Sequence, residues 1–168
     1  MDVVVAGGHG QVGLRLCLLL RELRAPVLAI ESNVDADYVA RAKDALIPVV
    51  IGRGGSRFVL RQVSLQRARA LAAVTSDEIE NIAIVVTAHG EREELRTLLR
   101  AGRGEVRDET RALLKLGVVR DVYRIGGTLL AAAALGSDAS EAFVYEQTVY
   151  LVTPDGRIER FREDRART

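Results

Sequence analysis

The sequence has no tryptophan, one cysteine, one methionine and three prolines in 168 residues, and aromatic side chains make up only 4% of it. Each scarcity excludes something. With Cys17 alone, the chain forms neither an internal disulfide framework nor a CxxC metal site. His9 and His89 are too far apart in the pattern to suggest a zinc site, so no metal is expected. Arginines 15, 21 and 24 follow the first helix, but no aromatic platform for single-stranded nucleic acid accompanies them. Lysine is nearly absent too, Lys43 and Lys115 being the only ones among 24 basic residues. A formal net charge of +1 leaves no global electrostatic argument for DNA, RNA or a membrane surface. No apolar run reaches the roughly 20 residues of a membrane-spanning helix. The N-terminus enters a strand without a basic leader or cleavage site, so a cytoplasmic setting is expected.

What is present is a globular composition, 48% apolar and 28% charged, in a length that suits one core better than two. Apolar runs and helical periodicities alternate along it. Strands are expected at 3–6, 27–30, 49–51, 70–74, 95–99 and 118–123. Helices are expected at 11–23, 38–44, 57–62, through Ile79 to Val86, at 107–116 and at 128–135. The β-branched run at Ile79, Ile82, Val85 and Val86 is read as helix because Glu80 and Asn81 interrupt it at helical spacing and the alternation needs a crossover. Six βα units with short connections predict an α/β fold, a doubly wound and mostly parallel six-stranded sheet with helices on both faces. After Gly136 the pattern changes. Residues 143–152 read as a strand, Pro154, Asp155 and Gly156 as a turn, 157–161 as a returning hairpin strand, and 162–168 as a polar tail. The expected division is therefore 1–136 and a short extension at 137–168. That extension fits an added ribbon, a dimerisation element or the start of a second domain.

The strongest chemical signal is Gly8-His9-Gly10-Gln11-Val12-Gly13, a G-x-G-x-x-G placed directly after a buried strand and opening a helix. Gly8 permits the tight turn, Gly10 lets a pyrophosphate approach the backbone, and Gly13 lets the helix pack closely on the strand. The N–H groups at the helix start then bind phosphate oxygens. Glu31 ends the second strand, where an acid accepts hydrogen bonds from both ribose hydroxyls of an adenosine and repels a 2′-phosphate. NAD(H), or an adenine nucleotide with a free ribose, is thus expected over NADP(H). Ser32, next to Glu31, is a candidate cofactor contact with it. The alternative is a plain glycine turn with a solvated helix-cap acid, Ser32 then lying among the polar caps of the next helix.

Thr75, Ser76 and Asp77 follow the fourth strand, where they either meet a ribose or phosphate or cap the next helix. Arg53 and Arg57 near the third strand's end either meet the adenine side and phosphates or are solvated. His89 is expected to cap its helix or lie exposed, and Cys17 to be a small buried apolar residue. Asp108 and Glu109 suit a helix start better than paired-carboxylate chemistry.

Taken together these residues resemble the regulator-of-potassium-conductance (RCK) domain, also called the potassium-transport nucleotide-binding (KTN) or TrkA N-terminal domain. The resemblance rests on the strand and loop through Gly13, the acidic Glu31, Ala73-Val74-Thr75-Ser76-Asp77 with Asn81, Arg100 as the arginine after the fifth strand, and the later pattern at 112–135. It covers roughly residues 1–136. It implies a ligand-sensing domain, not an enzyme, that binds NAD or NADH, or ATP, ADP or AMP. Gly8, Gly10 and Gly13 would hold the diphosphate, Glu31 the adenosine ribose, Thr75 to Asp77 the distal part, and Arg100 the ligand or a partner subunit. It also implies a homodimer or larger ring, paired through the sheet edge and the last helices, acting on a membrane potassium channel or transporter from the cytoplasmic side. One position departs. Where the family usually has Gly-Asp-Ala, this chain has Gly52-Arg53-Gly54, which reverses a charge beside the adenine and is followed by a second glycine, Gly55, expected to add mobility.

Two rival readings remain at this level. A small NAD-dependent oxidoreductase needs an acid–base group, yet Tyr38 and Lys43 miss the four-residue spacing of a tyrosine–lysine pair and little chain remains for a substrate domain. A degenerate, non-binding assembly domain is favoured by Arg53 and opposed by the intact glycine loop.

Overall fold

Short runs of valine, alanine, leucine and isoleucine supply the central strands, because a strand covered by helices on both sides has no solvated face to carry polar residues. A computed structural model of the chain describes residues 2–7, 10–33, 37–101, 114, 117–145 and 148–161. Strands β1 (Val3–Ala6), β2 (Val27–Glu31), β3 (Val49–Ile51), β4 (Ala70–Ala73), β5 (Arg96–Ala101) and β6 (Val118–Asp121) form one sheet in the order β3-β2-β1-β4-β5-β6. Every pairing among β1 to β5 is parallel, with Val3 opposite both Val27 and Ala70.

Helices α1 (Gln11–Glu22), α2 (Asp37–Asp44), α3 (Arg57–Gln62) and α4 (Glu78–Glu91) connect them, with a 3-10 turn at Leu65–Arg67. Successive strand residues point to opposite faces, and two cores follow. Val5, Ala29 and Ala72 pack with Leu14 and Cys17 of α1 and Ala42 of α2. Val4, Ala6, Ile30, Leu71 and Leu99 pack with Val59 and Leu60 of α3 and Ile84, Val85 and Ala88 of α4. Burial pushes the Cys17 thiol up to about 12, so it stays protonated and inert at neutral pH. The chain runs outward from β1 through β2 to β3, then returns to lay β4 on the other side of β1. That reversal opens a crevice at the carboxyl ends of β1 and β4.

The chain divides into compact units at Met1–Arg120 and Asp121–Thr168. In the second, helix α5 (Val122–Ala134) lies against β7 (Glu141–Tyr145) and β8 (Thr148–Val152), and β9 (Ile158–Arg160) completes an antiparallel ribbon. Thr128 and Ala132 of α5 and Val149 and Leu151 of β8 are buried there. Phe143 stacks on Tyr150 with ring centroids 5.3 Å apart.

Several expected bounds move. The last helix begins at Val122, not at 128, and β6 ends correspondingly early. Asp121 caps the helix by accepting a 2.9 Å bond from the Arg124 N–H, and this outweighs the low helix propensity of Gly126 and Gly127 inside it. The fifth strand runs two residues past the expected 95–99, which places Arg100 inside β5. The strand expected at 143–152 is two strands of a hairpin, because residues on both halves pair with each other. The helix expected at 107–116 and the tail at 162–168 lie outside the described residues, Leu114 excepted. Among the described residues, no helix is long and apolar enough to cross a membrane.

Candidate functional site

Parallel register brings the loops after β1 and β4 out at the same edge of the sheet, and a glycine lets them touch. Gly7 ends β1 with φ +77, and a Cβ placed on it would lie 2.6 Å from Thr75 Cγ2 and 2.7 Å from Thr75 N. Both the backbone conformation and the contact therefore require glycine there. Gly7 was absent from the expected site. Its signal was present, as the first of three glycines in Gly7-Gly8-His9-Gly10.

Gly10 is the N-cap of α1, with φ −72 and ψ 164, and no side chain caps that end. The first turn carries no acidic residue. The Gly10 conformation suits any residue, and a Cβ placed on it would have no atom of the described residues within 4 Å. Among the described residues, neither strain nor packing explains glycine at this position. Gly13 is buried and Val12 packs on the α1 core, so their main-chain N–H groups, with that of exposed Gln11, are what they offer at the helix start. Gly8 and His9 lie outside the described residues.

Glu31 is partly exposed at the end of β2. Its Oε1 accepts bonds from Ser32 N (2.8 Å), Asn33 N (3.0 Å) and Ser32 Oγ (3.3 Å), so the carboxylate is anchored by the loop that follows it. Gly52 N donates to the Glu31 carbonyl at 2.8 Å, which holds the ends of β2 and β3 together.

The third loop is not the mobile element its double glycine suggested. Gly54 is buried, and a Cβ there would meet Ala6 Cβ at 2.8 Å and Ile84 Cδ1 at 3.1 Å. It is glycine for close packing. Arg53 is exposed on this loop. Arg57 instead faces Glu91, which also takes a two-point bond from Arg61: Nε to Oε2 at 2.7 Å and Nη2 to Oε1 at 3.1 Å. The Glu91 side chain is only 7% exposed, and the Arg61 hydrogen bond holds its carboxyl below the usual glutamate range.

After β4, Thr75 Oγ1 donates to the Asp77 carbonyl (2.9 Å) and accepts from Asp77 N (3.2 Å), while Asp77 Oδ1 accepts from Glu80 N (2.9 Å). Of the two readings for this loop, the cap is the one the geometry displays for Asp77. Ser76 is exposed. Asn81, read from the sequence as a polar interruption, is 1% exposed. Its Oδ1 accepts from Thr75 N (2.8 Å), and its Nδ2 donates to the carbonyls of Thr75 (3.1 Å) and Arg100 (3.0 Å). One amide thus ties α4 to the loop after β4 and to β5. It positions Thr75 and the backbone of Arg100, and its signal was an asparagine amid an apolar helix face. His89, near the end of α4, reaches the Leu95 carbonyl (3.2 Å) and Thr97 Oγ1 (3.3 Å), so it fastens the helix to β5.

A parallel sheet in this strand order, with a glycine loop opening onto a helix N-terminus at the reversal point and an acid ending β2, defines the dinucleotide-binding class of α/β folds. The sequence model of the TrkA-N domain matches residues 3–122, and the chain belongs to that family. Potassium channel protein 1 of Methanocaldococcus jannaschii is 25% identical over 136 residues, covering 80% of this chain and 40% of that protein. The chain thus spans well under half the length of this relative. The NAD(P)-binding domain of an exopolyphosphatase-related protein from Archaeoglobus fulgidus superposes with a TM-score of 0.67 at 16% identity, covering 81% of this chain and 98% of that one. The GsuK channel bound to NAD superposes with a TM-score of 0.62 at 21% identity (79% and 23% covered), and the GsuK form bound to ADP with 0.62 at 22% (78% and 33%). At these identities the structures show a shared fold.

Proposed function

We propose that this chain is a ligand-sensing regulatory domain that binds NAD(H), or ATP, ADP or AMP, at the β1–β4 crevice, and that it controls a membrane potassium channel or transporter. Residues 1–136 are the nucleotide-binding segment and 137–168 an extension. It acts on the cytoplasmic side as a homodimer or larger ring, without catalysing a reaction. The observation that carries the reading is Gly10, a glycine that no described protein atom requires, at a helix start that no side chain caps. The absence of a side chain there leaves room for a phosphate to reach the N–H groups of α1. Glu31, anchored at the end of β2, suits the adenosine ribose. Support for the partner comes from the family and from the potassium channel protein and the GsuK channel among its relatives. Regulation then works by a bound nucleotide favouring one arrangement of subunits over another.

Calorimetric titration with NAD+, NADH, NADPH, ATP, ADP and AMP tests this reading. Micromolar binding of at least one ligand is expected, weakened about tenfold or more by Gly10→Ala or Glu31→Ala. Absence of binding across the panel would leave a scaffold with an empty crevice instead.

A further inference from the structure

We propose that Arg53 lets this crevice take adenine nucleotides phosphorylated on the ribose 2′ oxygen, so that NADP(H)-class ligands bind alongside those with a free ribose. This rests on the crevice being a nucleotide site, and it reverses the selectivity that Glu31 alone implies.

Arg53 is held between two fixed points. Its predecessor, Gly52, donates to the Glu31 carbonyl (2.8 Å), and its successor, Gly54, presses on Ala6 at the end of β1. Ser56 N donates to the Arg53 carbonyl at 3.0 Å and closes the turn. The backbone is thus set at the rim between the end of β2 and the end of β1, on the ribose side of the crevice. From there the Arg53 side chain extends into solvent, and it makes no ion pair or hydrogen bond among the described residues. The two other arginines of this segment, Arg57 and Arg61, are committed to Glu91. An exposed arginine one residue past the Gly52–Glu31 backbone bond matches what a 2′-phosphate at the proposed ribose position requires, a planar donor fork able to bind two oxygens at once. Glu31 opposes this less than an unanchored acid would, because Ser32 N, Ser32 Oγ and Asn33 N already converge on its Oε1. Those donors offset part of its negative charge and draw it toward its own loop.

The test compares matched pairs by calorimetry: NAD+ against NADP+, and AMP against adenosine 2′,5′-bisphosphate, with the intact chain, Arg53→Ala and Arg53→Lys. The intact chain is expected to bind the 2′-phosphorylated member within about tenfold of its partner or better. Arg53→Ala should weaken only the phosphorylated member, by about tenfold or more, with Arg53→Lys between. Added salt should erode the difference. The proposal is overturned if the intact chain rejects both phosphorylated ligands, or if Arg53→Ala weakens both members of a pair equally, which would put the arginine on the adenine instead. Binding of neither member of either pair would overturn this inference, and with NADH, ATP and ADP also failing to bind it would overturn the nucleotide reading itself.

Discussion

Two helices begin at the same edge of the sheet, one on each face, and they finish their N-termini in opposite ways. Helix α4 satisfies itself. Asp77 caps it, Glu78 and Glu80 place acids in its first turn, and Asn81 binds the loop from within. Helix α1 has a glycine cap, no acid in its first turn, and open space where a side chain would stand. Both starts carry the partial positive charge of a helix N-terminus. In α4 the protein's own carboxylates answer that charge, whereas in α1 no described side chain does. The difference teaches which of two similar loops the chain closes for itself and which one the proposed function assigns to an anion from outside.

That contrast can be broken, beginning where the stability effect is largest. Gly7→Ala forces a side chain into Thr75 at a positive φ and should cost about 3 kcal/mol or more in chemical denaturation. Retention of full stability would mean the two loops are not locked together. Asn81→Ala strips partners from Thr75 N–H and from two carbonyls, at roughly 2–4 kcal/mol by the same measurement. Asp77→Ala removes the α4 cap and should lower stability by about 1 kcal/mol, leaving nucleotide affinity within about threefold. A large loss of affinity there would return Asp77 to the ligand. Gly10→Ala has the smallest expected effect on folding, a change within about 0.5 kcal/mol, while it weakens nucleotide binding about tenfold or more. Equal loss of stability and binding would show that Gly10 is structural after all. A fifth test concerns pH. The Glu91 carboxyl is held low by Arg61, so its contribution is full above the ordinary glutamate range and is lost as pH falls through the lowered value. Glu91→Gln should flatten that part of an acid unfolding profile.

Much of the fold was legible because its signals are local. Short apolar runs closed by glycine read as buried strands by their length and flanks, and β1, β3 and α3 stand where the pattern put them. Gly10 at a helix start and Glu31 at a strand end were legible for the same reason, since both positions follow from the pattern of one βαβ unit. Asn81 was legible as a polar residue in an apolar helix, but its buried bonds to Thr75 and to the Arg100 carbonyl, 19 residues on, were not. The start of α5 was missed because two glycines argued locally against a helix that Asp121 begins. Arg53 and Arg57 looked equivalent, and only the packing of α3 against α4 separated them, through Glu91.

The sequence by itself determined the alternation of strands and helices, the placing of the glycine loop at a helix start and the acid at a strand end. Each of these follows from periodicity and from the conformational freedom of glycine, which act over a few residues. Only the tertiary structure decided that Gly7 must yield to Thr75, that Gly54 is pinned against Ala6, and that Arg57 is spent on Glu91 while Arg53 is left at the rim. These depend on pairs far apart in the chain, whose distances no local pattern encodes, because they are set by how close-packed elements meet around the sheet.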